Sequence, residues 1–349
     1  VKVLVTGAAG FIGSHVARLL SERGDEVRAL VLPSDDTRNL RGLDVDLRIG
    51  DVTDPLSLER AMRGAQRVFH VAALYRLWTR SPGELHRVNV EGTGNVLSLA
   101  AKLGVERVVH TSSIARFGGQ GKGIVADEDS PFALGRTGSH YAISKAEAHE
   151  LAVAAHAGGQ DVVMVAPCGP IGPGDVGPTP TGRLLLSCLS LPVITVTDSV
   201  TNFVDVRDVA EGHLRAADLG VSGRSYLLGH RNLRLSELAA MGLSSLGRTA
   251  RIVEVPASAA LAMGHTLSFV ADHLTHRAPP LTREAARIAA LGLAADASRA
   301  VRELGLPQSP IEGAVEAAIA WWQREGYCPS GPASRFGAGR RPPFLRFSL

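Results

Sequence analysis

The stretch VKVLVTGAAGFIGSH, residues 1–15, holds a short apolar run, three glycines at positions 7, 10 and 13, and then the start of an amphipathic pattern. An apolar run of this length reads as a buried strand, and the residues after Gly13 read as a helix. Between them, Gly7 permits the tight turn, Gly10 lets the backbone approach a pyrophosphate, and Gly13 lets the helix pack closely on the strand. A phosphate would then sit on a helix N-terminus, where free N–H groups and the helix dipole favour negative charge. The alternative is a plain Gly-rich strand-to-helix turn. Its position at the head of a strand–helix–strand series favours a dinucleotide.

That series continues along the chain. Apolar runs recur at 26–31 (EVRALV), 46–50 (DLRIG), 67–72 (RVFHVA), 107–112 (RVVHTS) and 162–167 (VVMVAP), with amphipathic segments between them. Strand alternating with helix implies right-handed crossovers, so the expected fold is α/β: a Rossmann-type, doubly wound parallel sheet. After Pro167 the chain enters PCGPIGPGDVGPTPTGR, a Pro/Gly-rich loop read as neither helix nor strand. Residues 202–229 return to the strand–helix–strand style, and the remainder to Gly326 is mostly helical. The expected division is a dinucleotide-binding domain over 1–167, completed by about 202–229, and a smaller, mostly helical substrate domain from 168–201 and 230–326. Residues 327–349 carry four arginines and no acid, and read as a basic, disordered tail.

The 349 residues are 45% apolar with a net charge of +3, both signs interspersed, so no basic field points to nucleic acid, and a small molecule is the expected partner. Cys168, Cys188 and Cys328 have no metal-ligand spacing, so neither a metal nor a disulfide is expected. No apolar run reaches membrane-span length and no signal-peptide pattern opens the chain; the expectation is a soluble, cytoplasmic protein. A helix-rich surface is compatible with a homodimer.

SHYAISKAEAHE, 139–150, places Tyr141 and Lys145 four residues apart on one helical face, so the ammonium can stabilise the phenolate. The competing reading is a chance surface pair. Ser113, at the end of the fifth strand, lies on the edge of a parallel sheet where ligands collect, although a serine there can also be a simple turn or cap. At the end of the second strand Val31 and Leu32 stand where an NAD-preferring protein carries a carboxylate. With Ser34 and Arg38 nearby, this favours NADP over NAD, while Arg38 can equally be a solvated surface residue. Asp51 is a candidate for the adenine amino group, or a turn aspartate. Asp208 with Glu211 reads as a capping box, and His70, His110, Trp321 and Trp322 as packed, satisfied core.

In order, TGAAGFIGSH, GDVTD, VAA, VNVEGTGNVL, TSS and YAISK resemble the extended short-chain dehydrogenase/reductases, the NAD-dependent epimerase/dehydratase group. YRLW (75–78), GPIGPGDVGPTPTGR (169–183) and VDVRDVAEGHL (204–214) resemble its hopanoid-associated sugar epimerases and dihydroflavonol-reductase-like relatives. The resemblance implies Tyr141 as acid/base, Lys145 lowering its pKa and binding the nicotinamide ribose, and Ser113 rather than Ser112 positioning the substrate oxygen. It also implies a dinucleotide site including Phe11, Ile12, Val52, Ala72, Ala73 and Pro167. Tyr75, Trp78, Phe117 and the 169–183 loop should border the substrate, with Arg183 either a phosphate contact or a cap. Dehydratases of the family carry an Asp-Glu pair where Ile114 and Ala115 stand, so dehydration is not expected. The implied function is an NAD(P)-dependent transfer of hydride at a secondary carbinol or ketone of a sugar or sugar-like substrate. Three readings remain: a sugar-type epimerase, a reductase of ketones or aldehydes, and a non-catalytic dinucleotide sensor.

Overall fold

The computed structural model describes residues 1–327, so the expectation of a disordered tail falls, from Cys328 on, outside the described residues. In chain order the first half runs β1 (Lys2–Thr6), α1 (Phe11–Glu22), β2 (Glu26–Val31), β3 (Asp46–Ile49), α2 (Pro55–Met62), β4 (Arg67–His70), α3 (Pro82–His86), α4 (Gly92–Leu103), β5 (Arg107–Thr111), α5 (His140–Ala157) and β6 (Val162–Pro167). There follow β7 (Gly169–Ile171), α6 (Pro180–Ser190), β8 (Val193–Thr197), β9 (Val200–Asp205), α7 (Val206–Leu219), β10 (Ser225–Leu228), β11 (Arg231–Arg234), α8 (Leu235–Ser245), β12 (Arg251–Val255), α9 (Ala257–Val270), α10 (Arg283–Leu291), α11 (Ser298–Leu304) and α12 (Ile311–Arg324).

Seven strands form one parallel sheet in the order β10-β6-β5-β4-β1-β2-β3. The chain runs outward from β1 through β2 to β3, then crosses to β4 on the other side. The β1/β4 boundary is therefore the switch point at which parallel sheets leave a crevice for a ligand. The central strands are apolar on both faces because helices cover both. Val3, Val5 and Val109 pack with Val16 and Leu20 of α1 and Val209 and Leu214 of α7. On the opposite face Leu4, Val68 and Val108 pack with Leu58 of α2, Val96 and Leu97 of α4 and Ala152 of α5. At the edge, β3 is short and exposed, with Asp46 and Arg48 paired on it, an arrangement that discourages strand addition by another chain.

The structure departs from the sequence expectations in three places. First, residues 200–205 form a strand, but one outside the main sheet: β9 pairs antiparallel with β11 and parallel with β7. Only β10 completes the main sheet, in parallel register with β6. Secondly, the Pro/Gly-rich loop contains β7, and α6 begins inside it, with Pro180 in its first turn and the Thr179 hydroxyl accepting from Gly182 N–H. Thirdly, α7 is capped by Asp205, whose carboxylate accepts from Arg207 N–H at 2.8 Å. Asp208 lies inside the first turn and accepts instead from Ser309, on the approach to α12, at 2.7 and 2.8 Å. A partner about a hundred positions away is invisible to a local capping pattern.

Candidate active site

Gly7 has φ of +65°, and a Cβ built on it would lie 2.7 Å from the Ala72 backbone beyond β4. Both the turn and the close approach of the two strand ends therefore require glycine. A Cβ on Gly13 would strike the Gly7 carbonyl. Gly10 differs: only the Gly7 oxygen, at 3.2 Å, lies near such a Cβ, which otherwise projects into the cleft that Gly10 and Phe11 line. Gly10 is the N-cap of α1 and supplies no side-chain cap, so the first N–H groups of the helix face that cleft without intrahelical acceptors. This geometry fits a dinucleotide pyrophosphate, with Ala73 on the cleft wall opposite.

Of the other residues assigned to the dinucleotide, Ile12 packs on the core and Val52 is buried. Ala72 N–H donates to the Thr6 hydroxyl at 3.2 Å, and Pro167 ends β6. Asp51 adopts the turn geometry, its carboxylate accepting from Thr53 N–H at 2.8 Å. Arg38 is held by Asp36 at 2.6 Å and by Glu325 at 3.5 Å.

The tyrosine helix is anchored at its start. The Ser139 hydroxyl caps α5 by accepting from Ala142 N–H at 3.2 Å and donates to Glu284 of α10 at 2.9 Å. Tyr141, in the first turn, donates from its hydroxyl to Ser113 Oγ at 3.4 Å. Burial pushes the phenol pKa upward, and the Ser113 bond pulls it back only in part. Lys145 is buried one turn on and donates from Nζ to the Thr111 carbonyl at 2.7 Å. Burial lowers its pKa to about 8, which leaves it mostly cationic at neutral pH. In this geometry the Tyr141 hydroxyl pairs with Ser113 and the lysine with the β5 carbonyl.

The two serines after β5 point to different partners, as successive extended residues do. Ser113 faces Tyr141, whereas the Ser112 hydroxyl pairs with His149 Nδ1 at 3.0 Å. Tyr75 lines the cleft and its ring lies 4.6 Å from that of Tyr141, while Tyr141, Ser113 and Lys145 themselves are not on the cleft lining and sit behind it. Trp78 and Arg183 also line it; Trp78 Nε1 donates to Asp272 at 2.9 Å, and Arg183 to the Pro178 carbonyl at 3.0 Å. Phe117, expected at the substrate, is instead 1% exposed in the core, packed edge-on against His149 at 5.4 Å. Its aromatic character suits either place, and only the turn after Ser113 directs it inward.

Sequence reading passed over Asn89, which sits in a π-helical turn before α4. Its Oδ1 accepts from Leu74 N–H at 2.7 Å, and its Nδ2 donates to the Leu74 carbonyl and to Ser144 Oγ. Asn89 thereby ties the residue preceding Tyr75 to the tyrosine helix. The asparagine in VNVEGTGNVL was the available signal. His70 is satisfied by Thr6 and Thr93 at 2.8 and 2.9 Å, but neither ring nitrogen of its neighbour His110 has a partner among the described residues. His110 is thus packed without being satisfied.

Residues 3–229 match the family model for the NAD dependent epimerase/dehydratase family. The chain belongs to that family. Its members, and this protein with them, are NAD(P)-dependent enzymes of the extended short-chain dehydrogenase/reductase type. The chain is 40% identical to a Synechocystis protein that carries a provisional dihydroflavonol 4-reductase name, across 93% of this chain and 95% of that one. It is 31% identical to sterol demethylase protein B of Methylococcus capsulatus, across 93% and 98%. Among solved structures, gox2253 superposes with a TM-score of 0.83 at 36% identity, covering 94% of this chain and 99% of that one. The Streptomyces venezuelae dTDP-glucose 4,6-dehydratase DesIV, solved with NAD, superposes at 0.77 and 26% identity over the same shares. Ile114 and Ala115, which follow Ser113 where an Asp-Glu pair is expected only of dehydratases, are both buried. No helix among the described residues is long and apolar enough to cross a membrane.

Proposed function

We propose that the protein is a ketone reductase that works through Tyr141, Ser113 and Lys145, interconverting a ketone and its secondary carbinol. Bound NAD(P) supplies the hydride. Tyr141 holds the proton at its phenolic oxygen and delivers it to the carbonyl oxygen of the substrate, while the Ser113 hydroxyl stabilises that oxygen as its charge changes. Lys145 remains cationic at neutral pH and favours the phenolate left behind. The carrying observation is the Tyr141–Ser113 hydroxyl pair, which lies directly beside the cleft-lining Tyr75. A protonated phenol suits donation to a ketone, and the reductase name of the 40%-identical relative supports reduction over epimerisation.

In this reading the crevice at the β1/β4 boundary takes the dinucleotide, and the segments 168–201 and 230–326 enclose the substrate. NADP is the preferred form. β2 itself ends on Val31 with Leu32 next, whereas Asp35, which accepts from Leu32 N–H at 2.9 Å, and Asp36 lie just beyond it on the cleft lining; what supports NADP is Arg38, whose ion pairs are partly exposed and of a kind worth about 0–1 kcal/mol, so the guanidinium can turn to a 2′-phosphate.

The test is Tyr141→Phe, which removes one hydroxyl and keeps the ring. Dinucleotide affinity should persist while the rate falls by roughly 10²–10⁴, the usual worth of a general acid. Steady consumption of NADPH in proportion to product marks the reductase. Near-normal turnover by folded Tyr141→Phe refutes the assignment.

A further inference from the structure

The cleft is far larger than a dinucleotide crevice alone requires. It measures about 3500 Å³ and runs from Gly10 and Phe11 past Tyr75 and Trp78 to α6, β8, α9 and α10. Small-molecule sites ordinarily enclose roughly 300–1000 Å³. Beyond the dinucleotide end its walls are aliphatic: Leu184 and Leu189 of α6, Val196 of β8, Met263 and Leu267 of α9, and Ile288 of α10. Some of these side chains are open to water. Met263 is 40% exposed, and Leu191, at the end of α6, 46%. Helix α9, ASAALAMGHTLSFV, is apolar on nearly every side, a composition that normally calls for cover all round.

Four arginines line the cleft among the described residues, and of these Arg76 is held in an ion pair. A diphosphate needs arginine or lysine within hydrogen-bond reach. No lysine lines the cleft among the described residues. Of its arginines, Arg76 is paired with Glu84 at 2.9 Å, Arg183 donates to the Pro178 carbonyl, and Arg248 donates to the Cys188 carbonyl at 2.5 Å. Arg80 remains, exposed on the rim. A nucleoside diphosphate sugar could reach Arg183 but would leave the exposed Met263 and Leu191 uncovered, whereas a large apolar molecule would cover them.

We infer that the substrate is a large, uncharged, predominantly apolar ketone or carbinol, bound along the α6–α9 wall with its oxygen directed to Tyr141 and Ser113, and a 3-keto steroid is the probe for it. This rests on the hydride-transfer reading above, and the test separates the two. The full chain, with excess NADP⁺, which cannot reduce the ketone, is dialysed to equilibrium against a tritiated 3-keto steroid and, separately, tritiated UDP-glucose, and NADPH consumption with the same steroid is followed in a parallel assay. The steroid should bind more tightly. Met263→Asp, which places a charge on the aliphatic wall at a partly exposed position, should weaken steroid binding by at least about tenfold and leave NADPH affinity unchanged, while Met263→Leu should behave as wild type. Tighter binding of UDP-glucose, or equal steroid affinity in folded Met263→Asp, overturns the inference. Tight steroid binding without NADPH consumption would uphold the substrate class and remove the hydride-transfer reading instead.

Discussion

Lowering the pH from about 7.5 to about 5.5 should destabilise this protein by several kcal/mol through its buried histidines. His70, His149 and His213 are all buried and bonded to hydroxyls or a carbonyl, not to carboxylates. Burial pushes His70 down to about 3, and His149 and His213 to about 4, from an ordinary 6.5. A depressed folded pKa means that below 6.5 the unfolded chain takes up protons that the folded chain refuses. Stability is therefore complete above about 6.5 and falls as the pH drops toward 4. At about pH 5.5 each histidine costs about 1.4 kcal/mol, and the three together about 4 kcal/mol. Asp175 acts in the opposite sense, because burial raises it to about 6; its folded form takes up a proton first and returns about 1 kcal/mol. The net loss, about 3 kcal/mol, compares with a total stability of roughly 5–15 kcal/mol for a typical protein. Urea unfolding followed by the fluorescence of the buried Trp321 and Trp322 should show the midpoint falling by up to about 1 M over this interval. An unchanged midpoint would refute the reasoning, since it would require these rings to be protonated, or reached by water, in the folded state.

Gly10→Val should abolish dinucleotide binding while leaving the fold intact, because the new side chain projects into the cleft and not into the packed turn; unaltered affinity by fluorescence titration sinks the loop assignment. Lys145→Met should lower activity and weaken dinucleotide binding together, and its loss should not add to that of Tyr141→Phe in the double variant, since both residues serve one proton transfer. Competitive titration should show NADPH bound at least as tightly as NADH, and Arg38→Ala should reduce only the former; a strong NADH preference would remove Arg38 from the cofactor site.

What was legible in the sequence was what local physics encodes. Buried parallel strands are near-continuous apolar runs, and five of them, together with the exposed edge strand β3, could be read within a residue or two of their ends. The turn after β1 announces itself because only glycine tolerates the φ of Gly7 and the approach of Ala72. The four-residue spacing of Tyr141 and Lys145 puts both on one helical face in any helix. Everything that depended on a distant partner was decided by tertiary structure. The strand at 200–205 could be recognised, but its sheet could not, because pairing with β7 and β11 is a choice among edges that propensity does not rank. A locally plausible cap at Asp208 gave way to Asp205 because Ser309 claimed the former. Phe117 and Tyr75 are both aromatics near the site, yet one turns into the core and the other onto the cleft. The cleft itself is assembled from α6, β8, α9 and α10, segments up to about a hundred residues apart, so its size and its aliphatic wall exist only once they are packed together.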